Sequence, residues 1–129
     1  MIVVDTSVFV ALALEEPGAE RLIPPLRLAH GRAMSAGNYL ECAMLAETRL
    51  GGRFPLDRWL RMERVEIRPV DHVAAQLAAD AFARFGKGRH PAGLNYGDCF
   101  AYAVASFLDA PLLFKGGDFA KTDVRPAFA

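Results

Sequence analysis

Residues 2–14 read IVVDTSVFVALAL, and this segment carries the strongest signal of the fold. Residues 2–4 are apolar and β-branched, which favours a buried strand, while residues 8–14 are apolar and rich in Ala and Leu, which favours a buried helix. A buried strand that passes directly into a buried helix is typical of a parallel sheet covered by helices. Asp5 falls at the carboxyl end of the strand, where functional sites lie in such sheets.

The rest of the chain repeats this alternation of strand and helix. We therefore predict a three-layer α/β/α fold around a mostly parallel sheet of roughly four to five strands. Asp71 is the predicted N-cap of the most regular amphipathic helix. The further predicted strands cover residues 33–35, 66–70 and 112–114. The predicted helices cover residues 19–29, interrupted or bent at Pro24-Pro25, and residues 38–50, a segment starting near Pro55, 71–85 and 96–108.

The composition is that of an ordinary globular protein. Of the 129 residues, 53% are hydrophobic and 23% are charged, a balance that excludes an intrinsically disordered chain. We predict a single domain that spans residues 1–129 and needs no disulfide. Cys42 and Cys99 form no Cys-x-x-Cys pair, so we expect two reduced thiols in the core rather than a zinc or redox site.

The charge and the N-terminus bear on the class of partner. Lysine plus arginine number 15 and aspartate plus glutamate number 15, so no overall positive field attracts nucleic acid. This is weak evidence against a nuclease, because divalent cations can themselves contact phosphate oxygens. Residues 1–5 lack the pattern of a signal peptide, and the chain has no run of about 18 apolar residues. We expect a soluble, cytoplasmic protein without a membrane segment.

Four acidic residues from distant parts of the chain are candidates for one metal site. Hard cations such as Mg²⁺ and Mn²⁺ prefer oxygen ligands, so such a site requires clustered acids. Without a cation, clustered carboxylates repel one another and cost stability. The four candidates are Asp5, Glu41, Asp98 and Asp118.

Each acid also has an ordinary structural interpretation. Asp5 would cap the helix that follows it, and Asp118 would be a turn residue. Glu41 and Asp98 each lie three residues after an asparagine, which is the spacing of a capping box. Asp123 is either a further acid behind the site or a loop residue. The residues alone leave both interpretations open.

Four ordered segments resemble the VapC-type toxins, the PIN-domain ribonucleases of bacterial toxin–antitoxin pairs. The set spans almost the whole chain, and four motifs in order are far more specific than any one of them. Gly117 stands where the most common family pattern has an asparagine. The segments are VVDTSVFVALALEEPGAE (3–20), SAGNYLECAMLAE (35–47), LNYGDCFAYAVAS (94–106) and LLFKGGDFAKTDV (112–124).

The resemblance implies a metal-dependent endoribonuclease. One or two Mg²⁺ or Mn²⁺ ions would activate the water that hydrolyses an RNA phosphodiester bond. The residues implied as metal ligands and catalytic groups are Asp5, Glu41, Asp98 and Asp118, with Thr6, Ser7 and Asp123 in support. Candidate contacts to RNA phosphates are Lys87, Arg89, Lys115 and Lys121, although solvated loop charges are the more common interpretation of such residues.

The resemblance also implies two protein partners. One is a cognate VapB-type antitoxin whose C-terminal segment covers the active site, and the other is a second copy of the chain in a homodimer. An antitoxin helix would need an exposed apolar groove. We expect the early helices and the stripe of Leu56, Trp59 and Leu60 to form it.

Two other functions remain as alternatives. A phosphoacceptor signalling domain of the receiver type has a similar length, an acidic Mg²⁺ pocket and a late lysine such as Lys115. It needs paired early acids and an acceptor aspartate after a middle strand, whereas Asp5 stands alone and Asp71 opens a helix. The second alternative is a catalytically inactive scaffold of the PIN fold.

Overall fold

The computed structural model describes residues 1–128 and contains one four-stranded sheet. The strands are β1 (Ile2–Val4), β2 (Arg32–Ser35), β3 (Val65–Arg68) and β4 (Leu112–Leu113), in the order β3-β2-β1-β4. All three strand pairs are parallel. The predicted parallel sheet is confirmed, and β1 lies inside it between β2 and β4, which places the residue after β1 near the middle of one sheet edge.

Helices connect the strands and cover the sheet. Within the described residues, no helix is long and apolar enough to cross a membrane. The helices are α1 (Thr6–Ala13), α2 (Ile23–Leu28), α3 (Ala36–Arg49), α4 (Phe54–Met62), α5 (His72–Phe85) and α6 (Tyr96–Leu108), with short 3₁₀ turns at Ala19–Leu22 and Phe119–Lys121.

Two hydrophobic cores lie on the two faces of the sheet. Side chains alternate along a strand, so Val3 packs in the core that contains α5 and α6, whereas Val4 packs in the core that contains α1, α3 and α4. Leu112 and Leu113 divide between the two cores in the same way. This division gives the α/β/α arrangement of the prediction. Cys42 and Cys99 are free and buried, as expected of core thiols.

Two local expectations need correction. The predicted helix over residues 19–29 is interrupted but not bent: the 3₁₀ turn Ala19–Leu22 is followed by α2, and Pro24 and Pro25 lie in the first turn of α2, where a proline needs no hydrogen-bonded N–H. The stripe on α4 does not form an exposed groove: Leu56 and Leu60 are buried in the core, and the Trp59 ring packs 5.4 Å from the Phe9 ring. The α4 part of the predicted antitoxin groove is therefore wrong, while the part on the early helices stays a prediction.

Candidate active site

Asp5 lies at the carboxyl end of the central strand and begins α1. Its backbone N–H donates to the Leu113 carbonyl (3.0 Å), and its Oδ2 accepts from the Ser7 N–H (3.0 Å). The predicted cap is therefore present. The residue is only 4% exposed. Burial raises the pKa of the Asp5 carboxyl, the hydrogen bonds from Ser7 oppose that effect, and the Glu41 charge adds to it.

Glu41 lies on α3, one turn inside the helix. Its Oε1 accepts from the Thr6 hydroxyl (2.7 Å) and from the Asn38 side-chain amide (2.9 Å). Thr6 thus links the first acid segment to the second, as the prediction of a supporting residue requires.

The capping-box interpretation of Asn38 and Glu41 is wrong. Ser35 is the N-cap of α3, and its Oγ accepts from the Gly37 N–H (3.1 Å). Asn38 therefore lies within the first turn, fully buried, and its amide also donates to the Gly97 carbonyl of α6 (2.9 Å). The Glu41 carboxylate therefore does not cap its own helix and is free to face the other acids.

Asp98 does belong to a capping box. Its Oδ2 accepts from the Asn95 N–H (3.0 Å), and its own N–H donates to the Asn95 side chain (2.9 Å). Burial is the largest cause that raises the pKa of Asp98 to about 7; the Asn95 hydrogen bond opposes it, and the charges of Asp5, Asp118 and Glu41 raise it further. Capping and a place among the acids are therefore compatible roles.

Asp118 is the most open of the four acids. It is exposed and precedes the 3₁₀ turn Phe119–Lys121, and its side chain makes no capping hydrogen bond. Its charge nevertheless acts on Asp98. The loop before it is attached to α1, because the Lys115 N–H donates to Ser7 Oγ (2.9 Å).

These elements enclose an acidic pocket of about 420 Å³. Asp118 stands outside its lining. Lys115 is the one base of the described chain that lines it, and its Nζ lies 3.2 Å from Glu16 Oε1. The pocket, hereafter the acidic pocket, is lined by Asp5, Thr6, Ser7, Val10, Glu16, Glu41, Asn95, Asp98, Lys115 and Gly116.

The acids form no closed cage. Within residues 1–128, no three His, Cys, Asp or Glu side chains are grouped tightly enough to hold a metal ion on their own. Asp5, Glu41 and Asp98 instead point oxygens at donors of the protein. Mg²⁺ usually keeps several waters and takes only one or two carboxylates directly, so an open pocket rimmed by acids fits its chemistry.

The remaining predicted residues lie apart from the acidic pocket. Lys87 and Arg89 are exposed in the loop between α5 and α6, and Lys121 is exposed in the second 3₁₀ turn. Asp123 accepts from the Tyr102 hydroxyl and from Arg84 (3.2 Å to the latter), which lowers its pKa. Asp123 therefore fastens the C-terminal segment to α5 and α6.

The phosphoacceptor alternative also meets a local obstacle. β3 ends at Arg68, and the aspartate nearest to its carboxyl end is Asp71. Asp71 Oδ1 accepts from the Ala74 N–H (2.9 Å) and caps α5. An aspartate in that capping role, exposed beside the sheet, does not supply the acceptor that a receiver domain needs.

The chain is similar to proteins of known family over nearly its whole length. The profile of the PIN domain matches residues 2–125. Ribonuclease VapC30 of Mycobacterium tuberculosis is 47% identical over 124 residues, which cover 95% of both chains. Ribonuclease VapC of Mycolicibacterium smegmatis is 48% identical over 124 residues, which cover 95% of this chain and 96% of the relative.

Solved structures share the fold. The crystal structure of Mycobacterium tuberculosis VapC20, described as a Sarcin-Ricin loop cleaving toxin, has a TM-score of 0.70 over 98% of this chain and all of that one, at 22% identity. A toxin–antitoxin complex from Klebsiella pneumoniae contains a chain with a TM-score of 0.69 over all of this chain and 96% of that one, at 16% identity. At these identities the likeness concerns the fold alone.

Proposed function

The chain belongs to the PIN-domain family and has VapC ribonucleases as its relatives, and we therefore propose that it is a metal-dependent endoribonuclease. It is the toxin of a toxin–antitoxin pair, and it hydrolyses RNA phosphodiester bonds in the cytoplasm, where its substrate is. The observation that carries the proposal is the convergence of acids from separate elements: Asp5, Glu41 and Asp98 line one pocket.

The donor set fits one or two hard divalent cations. Asp5, Glu41 and Asp98 line the acidic pocket. Together with bound waters their carboxylates would hold Mg²⁺ or Mn²⁺, and Asp118, outside the lining, would act on the site through its charge. A bound cation supplies activation of water and neutralisation of phosphate charge. Among the candidate phosphate contacts, Lys115 is best placed, because it already lines the pocket.

The protonation state of the acids affects how readily the site binds a cation. The pKa of Asp98, raised to about 7 by burial and by its acidic neighbours, leaves this carboxyl partly protonated near neutral pH before a cation arrives. A cation favours the charged form, so cation binding releases a proton. Asp98 is therefore the acid whose ionisation is expected to be coupled to cation binding near neutral pH.

The central test is RNA cleavage by the purified protein with the Asp98→Asn variant. We expect cleavage only when Mg²⁺ or Mn²⁺ is present, and a loss of at least about 100-fold in Asp98→Asn with the fold retained. Asp80→Asn is the matched control, because Asp80 is exposed on α5 and lies outside the acidic pocket. Equal cleavage by wild type and Asp98→Asn would refute the function, and an inactive wild type would favour the scaffold alternative.

A cognate VapB-type antitoxin is the proposed partner. An apolar cavity of about 900 Å³ lies beside the acidic pocket and shares Lys115 and Gly116 with it. Leu28, which is 83% exposed, lies on its rim. An apolar antitoxin segment seated in this cavity reaches the acids directly, which explains how binding would block cleavage.

Leu28→Asp tests the antitoxin surface. The charge is expected to weaken antitoxin binding by at least about tenfold without lowering cleavage by the free toxin. Met62→Asp is the control, because Met62 is also an exposed helical side chain (66%) but lies on α4, away from the cavity. Equal antitoxin affinity of wild type and Leu28→Asp would place the partner elsewhere.

A homodimer is the second proposed assembly. A second apolar cavity, of about 820 Å³, lies between the start of α3 and the helices α5 and α6. Phe82 and Tyr96 line it and remain 41% and 81% exposed. Phe82→Glu is expected to convert a dimer to a monomer, as measured by light scattering. A variant with the mass of the wild type would show that this face is not the dimer interface.

A further inference from the structure

Asn38 is a fully buried polar side chain that links two acidic segments. It lies on α3, is 0% exposed, and donates through its amide nitrogen to Glu41 Oε1 and to the Gly97 carbonyl, both at 2.9 Å. Both partners are acceptors, so the amide can satisfy them only in this orientation. The chemistry of the partners therefore fixes Asn38, and through it the Glu41 carboxylate.

The orientation of Asn38 has a cost. Its Oδ1 is buried without a hydrogen-bond partner among the described residues. A buried acceptor without a partner is unfavourable, and an apolar side chain of similar size would avoid it. The two bonds that the amide nitrogen donates, to Glu41 and to the Gly97 carbonyl, are therefore what favours asparagine here.

Gly97 supplies the space that Glu41 occupies. A Cβ on Gly97 would overlap the Glu41 carboxylate group, which lies against the backbone of α6. Gly97 is helical, and its φ lies outside the left-handed region. Glycine is therefore not required by the backbone of α6, and helix propensity would favour alanine at this position. Contact with Glu41 is what excludes a side chain here.

We propose that Asn38 and Gly97 are positioning residues that set the place of the Glu41 carboxylate in the acidic pocket. Asn38 pulls the carboxylate towards α6 by hydrogen bonding, and Gly97 lets it approach. Neither residue touches RNA or the reacting atoms. The inference rests on the proposed metal-dependent cleavage, because it concerns the residues that present Glu41 to a cation.

Gly97→Ala tests the contact. Glu41 has a flexible side chain, so its carboxylate is expected to swing away from the added methyl group while α6 stays in place. We expect Mn²⁺ affinity, measured by calorimetry with the metal alone, to fall by about 10–100-fold, and cleavage to fall with it. The melting temperature of the metal-free protein should change little, because the preference of the helix for alanine opposes the loss of the hydrogen bonds that Glu41 accepts from Thr6 and Asn38.

Gly31→Ala is the matched control for the added methyl group. Gly31 precedes β2 and lies outside the acidic pocket, its Cβ would meet only the end of the flexible Met1 side chain (3.3 Å), and its φ is not left-handed. Mn²⁺ affinity and cleavage should therefore equal those of the wild type. A Gly97→Ala protein that binds Mn²⁺ as tightly as wild type overturns the role of Gly97.

A double-mutant cycle tests Asn38. Asn38→Leu, which keeps the volume and removes the amide, should lower Mn²⁺ affinity by about 10–100-fold. In the background of Glu41→Ala the same substitution should cause no further loss, because its effect passes through Glu41. An equal loss in both backgrounds would show a general structural role and overturn the proposal.

The same measurements separate failure of the inference from failure of the function. If the wild type neither binds Mn²⁺ nor cleaves RNA, the proposed function falls and the inference falls with it. If the wild type does both and the Asn38 and Gly97 variants match it, only the positioning role is refuted. A folded Gly97→Ala protein with unchanged melting temperature and weakened Mn²⁺ binding supports both.

Discussion

Asp5 and Asp98 hold carboxyl groups where their charge is disfavoured. Burial raises the pKa of both, and the neighbouring acids add to the effect. Protein donors compensate only in part, through the N–H groups of Ser7 and Asn95. The charged carboxylates are thus unfavourable in the metal-free site, and a divalent cation would stabilise them.

The raised pKa of Asp98 predicts how stability depends on pH. A carboxyl whose pKa rises from 3.8 unfolded to about 7 folded binds its proton more tightly in the folded state. Its contribution to the free energy of unfolding is complete below pH 3.8 and is lost as the pH rises through about 7. The metal-free protein should therefore lose thermal stability as the pH rises from 3.8 to about 7.

Asp98→Asn isolates that contribution. The variant has no charge at this position, so its melting temperature should fall less than that of the wild type over the same pH range. The substituted side chain retains an amide oxygen that can accept from the Asn95 N–H. Thermal melts in chelator-treated buffer provide the measurement, and parallel pH profiles for the two proteins would contradict the assigned pKa.

Asn38 and Asn95 show where prediction from the sequence reached its limit. Both stand three residues before an acid, and a capping box was one of the two interpretations of each pair. The capping box is present at Asn95 and Asp98 but not at Asn38, because Ser35 already caps α3. The signal for Ser35 was local, since a serine stands at the end of β2 and directly before the helix, whereas the bond from Asn38 to Gly97 joins residues 59 positions apart and has no signature in spacing.

Among the elements, the helix caps allow stability to be separated from function. Asp71 caps α5 and Asn95 caps α6, each through one side-chain oxygen that accepts from a backbone N–H three residues on. Either substitution by alanine should cost about 1 kcal/mol. Only Asn95→Ala should also reduce cleavage, because Asn95 lines the acidic pocket and its side-chain oxygen accepts from the Asp98 N–H.

Chemical unfolding and cleavage assays on both variants check this difference. The two losses of stability should be similar, so Asp71→Ala serves as the control for destabilisation alone. If Asp71→Ala lost as much activity per folded molecule as Asn95→Ala, the effect would come from stability and not from the site.

The cluster of Arg84, Tyr102 and Asp123 ties the C-terminal segment to α5 and α6. Asp123→Asn weakens a charged hydrogen bond and an exposed ion pair, so we expect a loss of about 1 kcal/mol of stability. The lowered pKa of Asp123 means that this stabilisation is lost as the pH falls towards its titration range. Cleavage by the folded variant should equal that of the wild type. A large loss would show that Asp123 contributes to the active site.

Element types were predicted from the sequence more reliably than element contacts. The strand before Asp5 and the helix from residue 96 to 108 were correct because hydrophobic period and caps are local signals. The apolar stripe on α4 was assigned to the surface, although Leu56 and Leu60 are core residues. Periodicity identifies the apolar face of a helix but not what covers that face.

Across the whole molecule, the sheet order brings the acids together. β1 lies between β2 and β4, so Asp5 after β1 and the loop after β4 meet at the same sheet edge, where α3 and α6 begin. The N-terminal ends of helices favour negative charge, which helps this edge to tolerate several carboxylates. The net charge of zero does not reveal this local excess of negative charge, because most basic residues lie outside the acidic pocket.

A cation that binds only the folded chain should stabilise the whole molecule. At a Mn²⁺ concentration about 100 times the dissociation constant, binding adds about 2.7 kcal/mol to the free energy of unfolding. For a chain of this size the melting temperature should rise by roughly 10 °C. Asp98→Asn should lose most of the shift, whereas Asp80→Asn, an exposed change on α5, should keep it. If millimolar Mn²⁺ left the melting temperature of the wild type unchanged, the acids would be grouped for helix capping and not to hold a metal.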